Sequence, residues 1–266
     1  MQTLEEQQGA VVPSDVRDDS LVIIPTYNEC ENAAAIIEAV LSQPHPMHVL
    51  IVDDGSPDGT ADIVRSKMEE HPGRVHMIER KGKLGLGTAY LAGFDWALAH
   101  GYDYIFEMDA DFSHNPDDLM RLYEACAQKG ADVAVGSRYL TGVNVVNWPM
   151  SRVLMSYGAS KYVRFVTGIP VNDTTAGFVC YRAAVLRHMH LDKVRFKGYA
   201  FQIEMKFTAY KHGFRIVEVP IVFVNRVLGT SKMSSGIFSE AMFGVIKLKL
   251  HSLTHKYEPA PQRADN

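Results

Sequence analysis

In the first half of the chain, short apolar runs alternate with longer segments in which apolar and polar residues are mixed. Short runs rich in β-branched and aromatic residues are separated by segments of helical length, and these runs occupy 21–24, 49–52, 75–78, 104–106 and 132–135. Runs of this kind predict strands, and strands that alternate with helices predict βαβ units. The pattern therefore predicts an α/β fold with a mainly parallel, doubly wound sheet flanked by helices.

The pattern changes after about residue 140. The second half predicts a helix over 150–168, a turn over 172–178, a strand near 178–181, a helix over 199–212, a strand pair at 215–219 and 221–224 broken by Pro220, and a last helix near 235–251 that is apolar on most sides. No internal repeat or low-complexity linker is evident. We therefore predict a disordered tail over 1–20, a single domain over 21–251 and a C-terminal tail over 252–266.

Three of the predicted strands end in polar turns. These turns are PTYNE at 25–29, DDGSPDGT at 53–60 and DADFSHNP at 109–116. In an open α/β sheet, ligands bind in the crevice outside the carboxyl ends of the strands. The three turns are therefore predicted to converge on one site.

The second turn places Asp53 and Asp54 directly after an apolar strand. One interpretation is a strand-to-helix turn in which Thr60 caps a helix that starts at Ala61. Two adjacent carboxylates at a strand end are costly unless they are exposed or have a partner. A nucleotide is such a partner, because carboxylates accept hydrogen bonds from ribose hydroxyls and base N–H groups.

The third turn carries a D-x-D pair, Asp109 and Asp111, ahead of a helix that Pro116 is predicted to start. Alternate side chains of an extended chain lie on the same side, and two carboxylates so placed suit a hard divalent cation that keeps water and phosphate oxygens as further ligands. The alternative is a charge pair with a nearby Lys or Arg. His114 is interpreted as a turn residue, since the His/Cys spacing of a zinc site is absent.

A glycine-rich stretch at 82–90, GKLGLGTAY, does not fit a dinucleotide fingerprint. The G-x-G-x-x-G pattern would need glycine where Tyr90 stands, and the G-K-[ST] of a P-loop is missing. The stretch predicts a flexible loop ahead of a helix, with Lys83 able to meet an anion.

Composition sets the remaining limits on function. The chain has 266 residues with a formal charge of −4, which argues against a nucleic-acid partner. Three cysteines without CxxC spacing predict no disulfide framework and suit a reducing compartment. The polar N-terminus lacks the features of a signal peptide, and the apolar stretches fall short of the ~20 residues that span a bilayer. Folding in the cytosol with at most peripheral membrane association is predicted.

Taken together, the motifs resemble a known family. LVIIPTYNE, IVDDGSPDGT and MDADFSHNP, in that order, resemble the inverting family 2 glycosyltransferases with the GT-A fold. KLGLGTAYLAGF, GSRY, NWPMSR, TTAGF, GYAFQIEM and VPIVFVNRVLGTSKMS narrow the likeness to the catalytic subunits of dolichol-phosphate mannosyltransferases, from about Leu21 to the last helix.

The resemblance implies a set of site residues. The implied nucleotide-sugar contacts are Pro25, Tyr27, Glu29, Val52, Asp54, Asp109, Ala110, Asp111, Arg138, Arg226 and Lys232, with Asp109 and Asp111 holding Mg²⁺ or Mn²⁺. The acceptor phosphate is assigned to Arg138, Arg152 and Ser156, and catalysis to Asp111, Arg138 and Arg226. Some relatives have an amide ligand where this chain has Ser113, which leaves a third protein ligand open. Arg138 could instead pair with a strand-end Asp, and Arg226 and Lys232 could be surface charges.

The implied reaction is inverting transfer of mannose from GDP-mannose to dolichyl phosphate. The product, dolichyl β-D-mannosyl phosphate, is the lumenal donor for N-glycosylation, O-mannosylation and GPI-anchor synthesis. A phosphate acceptor is already largely anionic and needs cations rather than a general base. The alternatives are a UDP-glucose-dependent enzyme, a transferase with a hydroxyl acceptor and Asp173 or Glu204 as base, and a non-catalytic subunit that binds nucleotide sugar.

A lipid acceptor also implies a place in the cell. The helix over 150–168 is either interfacial or a core helix with a solvated edge, and the last helix is too short to span a membrane. Relatives with their own transmembrane helices exist. This chain resembles the branch whose catalytic subunit is tethered by small membrane subunits, at the cytoplasmic face of the endoplasmic reticulum.

Overall fold

A computed structural model describes residues 18–198, 200–225 and 236–261. The main sheet has seven strands in the order β3-β2-β1-β4-β7-β5-β8. Its strands are β1 Ser20–Thr26, β2 Met47–Asp53, β3 Val75–Glu79, β4 Tyr104–Glu107, β5 Val133–Ser137, β7 Val179–Arg182 and β8 Ile216–Pro220. The five strands predicted in the first half are all present, which confirms the α/β fold.

Eight helices accompany these strands in the described part of the chain. They are α1 Ala33–Leu41, α2 Thr60–Glu70, α3 Leu86–Ala99, α4 Asp118–Ala127, α5 Met150–Thr167, α6 Ala183–His188, α7 Ala200–His212 and α8 Gly236–Thr254, with a short 3₁₀ helix at Leu191–Lys193. Two predicted starts were wrong by one or two residues. Helix α2 begins at Thr60 itself, with Gly59 as its cap, and α4 begins two residues after Pro116.

The sheet is parallel except at β7. This strand lies between β4 and β5 and runs antiparallel to both. The two strands predicted around Pro220 do not pair with each other. Strand β8 joins the main sheet beside β5, whereas β9 Phe223–Val224 pairs with β6 Val145–Val146 in a separate two-stranded sheet.

Apolar side chains fill both faces of the sheet. Alternate residues of β1 divide between two core clusters, with Val22 and Ile24 packed under α1 and α4, and Leu21 and Ile23 packed under α3. Parallel strands covered on both faces are expected to be apolar throughout, as β1 is. The cysteines are free thiols. Cys126 and Cys180 are buried, and Cys30 is half-buried.

The chain after α8 turns back onto the domain. The backbone N–H of Ala260 donates to the carbonyl oxygen of His212 at 2.7 Å. The carbonyl oxygen of Glu258 accepts hydrogen bonds from Nδ1 of His212 and Nε2 of His188. This contact fixes the described end of the chain against the C-terminus of α7.

Helix α3 approaches β1 closely at Gly93. A Cβ added there would lie 2.7 Å from Cγ2 of Ile23, which is fully buried. We expect Gly93→Ala to lower the free energy of unfolding by about 1–3 kcal/mol, because a packed core cannot absorb the methyl group without strain. Urea unfolding followed by circular dichroism measures it.

Gly158→Ala is the matched control for Gly93→Ala. Gly158 also lies inside a helix, but a Cβ there meets nothing within 4 Å. Alanine should stabilise this helix by up to about 1 kcal/mol. Equal effects of the two substitutions would contradict the close packing of α3 on β1.

Candidate functional site

The order of the strands locates the site. From β1 the chain proceeds outward through β2 to β3, and it then returns to place β4 on the other side of β1. Such a reversal opens a crevice at the carboxyl ends of the two central strands, and ligands of open α/β sheets bind there. The turns after β1 and β4, which contain Tyr27 and Asp109, meet at this crevice.

A cavity of about 980 Å³ occupies the crevice. Its lining includes ten of the residues implied by the sequence: Pro25, Tyr27, Glu29, Asp54, Asp109, Ala110, Asp111, Arg138, Arg152 and Ser156. The three polar turns therefore converge, as predicted from the strand pattern. A cavity of this volume is large enough for a nucleotide-sized ligand.

The first two turns are linked directly. The backbone N–H of Glu29 donates to Oγ1 of Thr60, at the start of α2. Thr60 is fully buried, so its hydroxyl connects the turns rather than capping the helix. Lys83 of the glycine-rich loop also reaches the cavity, with its Nζ 5.2 Å from the centre of the Tyr27 ring.

Asp54 has the partner that its position required. Arg80, just after β3, donates from Nε to Oδ1 of Asp54 at 2.6 Å and from Nη1 to Oγ1 of Thr88. Burial raises the pKa of Asp54, and Arg80 opposes that rise. Asp53 instead accepts hydrogen bonds from Thr26 and Ser56 and holds the turn together. The sequence pattern did not reveal Arg80, because its partner lies 26 residues earlier.

The D-x-D residues lie in a turn and not on an extended strand. Residues 110 and 111 form part of the turn, and Phe112 has a φ of 57°. The carboxylates nevertheless line the same cavity, with Asp109 39% exposed at its side chain and Asp111 buried. The backbone N–H of Ser113 donates to Oδ1 of Asp111 at 3.0 Å, which fixes that carboxylate.

His114 supports this turn from below. Its Nδ1 accepts the backbone N–H of Asp109 at 3.2 Å, and its ring stacks on Phe178. Burial lowers the pKa of His114 to about 4, so the ring is neutral at physiological pH and keeps this nitrogen as an acceptor. The interpretation of His114 as a turn residue is consistent with these contacts.

The donor set at the D-x-D turn fits a hard divalent cation. It offers two carboxylates on the wall of an open cavity, and such a cation takes its remaining ligands from water and phosphate oxygens. Glu38, Glu70 and His71 form a closer three-residue cluster elsewhere in the described ranges. The Lys67 ammonium already lies between both of those carboxylates, so that cluster has its cation.

Arg138 makes a buried ion pair with Asp173. Its Nε and Nη2 donate to the two carboxylate oxygens at 2.7 Å each, and Nη2 also donates to Oγ1 of Thr175. Burial alone would raise the pKa of Asp173, but the guanidinium holds it below its ordinary value. The predicted alternative of a salt bridge is thus correct in kind, although Asp173 lies in the turn before β7. The Nη1 atom takes no part in these bonds, and Arg138 still lines the cavity.

Helix α5 supplies two further polar side chains to the cavity, Arg152 and Ser156. Arg152 stacks on Trp148 at 4.0 Å from the ring centre and donates from Nη1 to Oδ1 of Asn225. Ser156, one helical turn later, accepts a hydrogen bond from the Tyr139 hydroxyl at 2.7 Å. These two residues therefore occupy one face of the helix, as their spacing predicts.

A buried polar network lies behind the part of the wall that Gln202 lines. Nε2 of Gln202 donates to Oε2 of Glu107 at 2.9 Å, and Lys206 Nζ donates to Oε1 of Gln202 and to the carbonyl oxygen of Ala176. Burial raises the pKa of Glu107 and lowers that of Lys206, each to about 8. None of these three was predicted from the sequence, although GYAFQIEM contains Gln202 and Lys206 directly follows it.

The two candidate general bases lie away from the cavity. Asp173 is fully buried against Arg138, and neither it nor Glu204 lines the cavity. The Glu204 carboxylate accepts the backbone N–H groups of Arg195 and Phe196 beside a second cavity of about 580 Å³. Neither carboxylate is placed to take a proton from an acceptor bound in the first cavity.

Three of the implied residues are not among the described residues that line the cavity. The side chain of Val52 is buried in the core and does not line the cavity, although its backbone is in register with Pro25 of β1. Arg226 and Lys232 lie outside the described residues. Their roles stay predictions.

An exposed apolar surface borders the cavity. Helices α5 and α8 pack together through the Tyr162 hydroxyl, which donates to the carbonyl oxygen of Met242, and through Lys249, which donates to that of Thr167. Large exposed side chains on the two helices are Met150, Leu154, Met155, Phe165, Met242, Phe243, Ile246, Leu250 and Leu253. No helix in the described ranges has the length and hydropathy required to cross a bilayer.

Fold and site together define a class of protein. A mainly parallel sheet with a ligand cavity at its switch point, and a D-x-D turn on the cavity wall, is the arrangement of the GT-A glycosyltransferases, as predicted. The chain belongs to glycosyl transferase family 2, whose model matches residues 21–193.

Two known proteins are similar to this chain over most of their length. Polyprenol monophosphomannose synthase of Mycolicibacterium smegmatis is 49% identical over 244 residues, which is 91% of this chain and 92% of that protein. Undecaprenyl-phosphate mannosyltransferase of Micrococcus luteus is 48% identical over 227 residues, which is 85% of this chain and 92% of that protein. The predicted family resemblance is confirmed.

Solved structures agree on the fold. Glucosyl-3-phosphoglycerate synthase of Mycobacterium tuberculosis, in complex with Mn²⁺, UDP and glucosyl-3-phosphoglycerate, has a TM-score of 0.61 at 15% identity and covers 88% of this chain and 80% of its own. A mannosyltransferase of Pyrobaculum calidifontis, in complex with GDP-Man and Mn²⁺, has a TM-score of 0.55 at 18% identity over 90% of this chain and 74% of its own. At these identities the likeness establishes the fold alone.

Proposed function

We propose that this protein transfers mannose, with inversion, from GDP-mannose to a polyprenyl phosphate. One observation carries the proposal. The described carboxylates that line the cavity, Glu29, Asp54, Asp109 and Asp111, all follow strands, whereas the described side chains that α5 and α8 place on the wall include Arg152 and Ser156 and no carboxylate. Among the described side chains, the wall formed by α5 and α8, where we place the acceptor, thus offers a guanidinium and a hydroxyl and no general base.

This division of the wall favours a phosphate acceptor over a hydroxyl acceptor. A hydroxyl group must lose a proton as it attacks, whereas a phosphate monoester is already largely ionised at neutral pH. Arg152 can bind the phosphate oxygens, and Ser156 can hydrogen-bond them. Their role is to place the phosphate in line with the anomeric carbon, which is a positioning contribution to the rate.

The donor is proposed to bind across the three strand-end turns. When bound, a divalent cation held by Asp109 and Asp111 would neutralise charge on the leaving diphosphate as a Lewis acid. Tyr27, Glu29 and Asp54 line the cavity and are proposed to contact the nucleotide, and Lys83, which also lines it, is proposed to meet an anionic group. Arg226 and Lys232 are proposed to close over the same diphosphate.

The lipid chain of the acceptor is proposed to leave the cavity along the exposed apolar surface of α5 and α8. Leu154, Met155 and Met242 belong both to this surface and to the cavity lining. A peripheral position on a membrane would cover these side chains, which are costly to leave in water.

The sequence and the similar proteins point to different lipids for the acceptor. The sequence predicts dolichyl phosphate, whereas the two similar proteins are bacterial and are named for polyprenol and undecaprenyl phosphate. The endoplasmic reticulum, GPI-anchor synthesis and the tethering subunits have no support from these relatives and stay predictions of the sequence. The supported class of acceptor is a polyprenyl phosphate.

A competition assay tests donor and acceptor together. The purified protein would be incubated with GDP-mannose and UDP-glucose in equal amounts, with Mn²⁺ and with dolichyl or undecaprenyl phosphate in detergent. Mass spectrometry of the lipid product should show the addition of one hexose, and NMR should identify that hexose as mannose in β configuration. A glucolipid, or GDP-mannose binding without any product, would support one of the alternative functions instead.

The acceptor site makes a separate prediction. We expect Arg152→Ala to raise KM for the polyprenyl phosphate by about tenfold to a hundredfold, because a hydrogen bond to a charged group contributes roughly 1.5–3 kcal/mol. Initial rates at saturating GDP-mannose measure this effect. Lys161→Ala is the control on the same helix, since Lys161 stacks on Tyr157 and does not line the cavity. An unchanged acceptor KM in Arg152→Ala would remove this residue from the site.

A further inference from the structure

The amide of Gln202 is held in one orientation. Among the described residues, Oε1 accepts from Lys206 Nζ at 3.1 Å and Nε2 donates to Oε2 of Glu107 at 2.9 Å. An amide carries one acceptor and one double donor, so a flipped side chain would place its NH₂ against the ammonium of Lys206. The three residues are buried, and the lysine has all three of its hydrogens in bonds to Ala176 and Gln202.

Among the described residues, this arrangement leaves one N–H of Gln202 for a ligand. Nε2 has two hydrogens, and Glu107 accepts one of them. Gln202 lines the cavity, as does its neighbour Gly177. A Cβ added to Gly177 would meet only this nitrogen, at 3.9 Å, and the glycine does not have a positive φ. The backbone therefore does not require glycine here, and the missing side chain opens Nε2 to the cavity.

We propose that Gln202 is a donor-specificity residue, positioned by Lys206 and Glu107, whose free amide hydrogen binds a hydroxyl of the transferred sugar. The inference rests on the proposed function, because it assumes a sugar nucleotide in this cavity. Gln202 lines the same cavity as the carboxylates of the D-x-D turn and the guanidinium of Arg152, and its neutral amide suits an uncharged hydroxyl better than a phosphate. Lys206 and Glu107 are positioning residues, since they act through Gln202.

Comparing the effect of each substitution on the binding of GDP-mannose and of GDP tests the inference. Calorimetric titration with GDP and with GDP-mannose, both with Mn²⁺ and without acceptor, gives a ratio of affinities for each variant. The Gln202→Glu side chain has the same size and keeps an oxygen that accepts from Lys206. A carboxyl group carries at most one proton, which would be shared with Glu107, so no hydrogen remains for the sugar. We expect the affinity for GDP-mannose to fall about three- to tenfold with no change for GDP.

Two more variants and a control separate contact from structure. Gly177→Ala should lower the same ratio by covering Nε2, and Lys206→Met should do so by releasing the amide. Lys211→Met is the control on α7, because Lys211 stacks on Tyr257 and lies outside the cavity. Melting temperatures identify any variant that fails to fold, and Gly177→Ala adds one methyl group at ordinary contact distance.

The possible outcomes are distinct. An unchanged ratio in Gln202→Glu and Gly177→Ala, with wild-type GDP binding intact, would overturn the inference and leave the proposed function standing. Equal loss of both ligands would make Gln202 a structural residue and overturn it as well. Failure of the wild-type protein to bind either ligand would contradict the proposed function itself.

Discussion

Replacing Asp111 with asparagine is expected to lower metal-dependent transfer by on the order of a hundredfold to a thousandfold. The substitution removes the charge that a divalent cation needs and keeps an oxygen to accept the N–H of Ser113. The turn should therefore keep its shape, and the loss should appear in kcat at saturating donor. Transfer of mannose to lipid phosphate over a range of Mn²⁺ concentrations measures the effect.

The control for this experiment is Asp117→Asn. Asp117 lies six positions further along the chain and is exposed outside the cavity. Its loss should leave the rate and its dependence on metal unchanged. If Asp111→Asn keeps wild-type activity at limiting Mn²⁺, the assignment of the D-x-D turn to metal is wrong.

Removal of Asp173 is expected to give the largest loss of stability. Asp173→Ala leaves the guanidinium of Arg138 buried without its partner carboxylate, which typically costs about 3–5 kcal/mol of unfolding free energy. The pair is buried and bidentate, so solvent screens it little. Chemical unfolding in urea measures the difference.

An exposed pair provides the comparison for Asp173→Ala. Glu124 and Lys129 approach to 3.3 Å on the surface, and Glu124→Ala should change stability by no more than about 0.5 kcal/mol. If Asp173→Ala also lowers the free energy of unfolding by no more than this amount, the buried ion pair is not important for stability and Arg138 has found another partner.

The strands and the three turns could be predicted from sequence for a physical reason. Buried parallel strands are apolar throughout, and their polar ends must collect at one edge of the sheet. The pattern therefore locates Asp54 and Asp109 on the same crevice without any knowledge of contacts. The detailed carboxylate geometry was not predictable, because the D-x-D turn follows a strand of only four residues, β4, and is not extended.

Contacts between distant residues were beyond the sequence pattern. Arg80 meets Asp54 across 26 residues, and Gln202 meets Glu107 across 95. Hydrophobic periodicity contains no information on which buried polar groups will pair. For the same reason, β7 was predicted as a strand but not as one that runs antiparallel to its neighbours. The two-residue strand β6 was not predicted, and the predicted strand 221–224, which contains β9, was not expected to pair with it.

The position of β7 determines the order in which the sheet can be completed during synthesis. The two neighbours of β5 are β7 and β8, and both come after it in the chain. When residues up to 140 have left the ribosome, β1 to β5 have been made, but neither of the two strands that pair with β5 has been made. The nascent chain must keep this fully buried strand, Val133–Ser137, unpaired until residues 179–182 emerge and bridge it to β4.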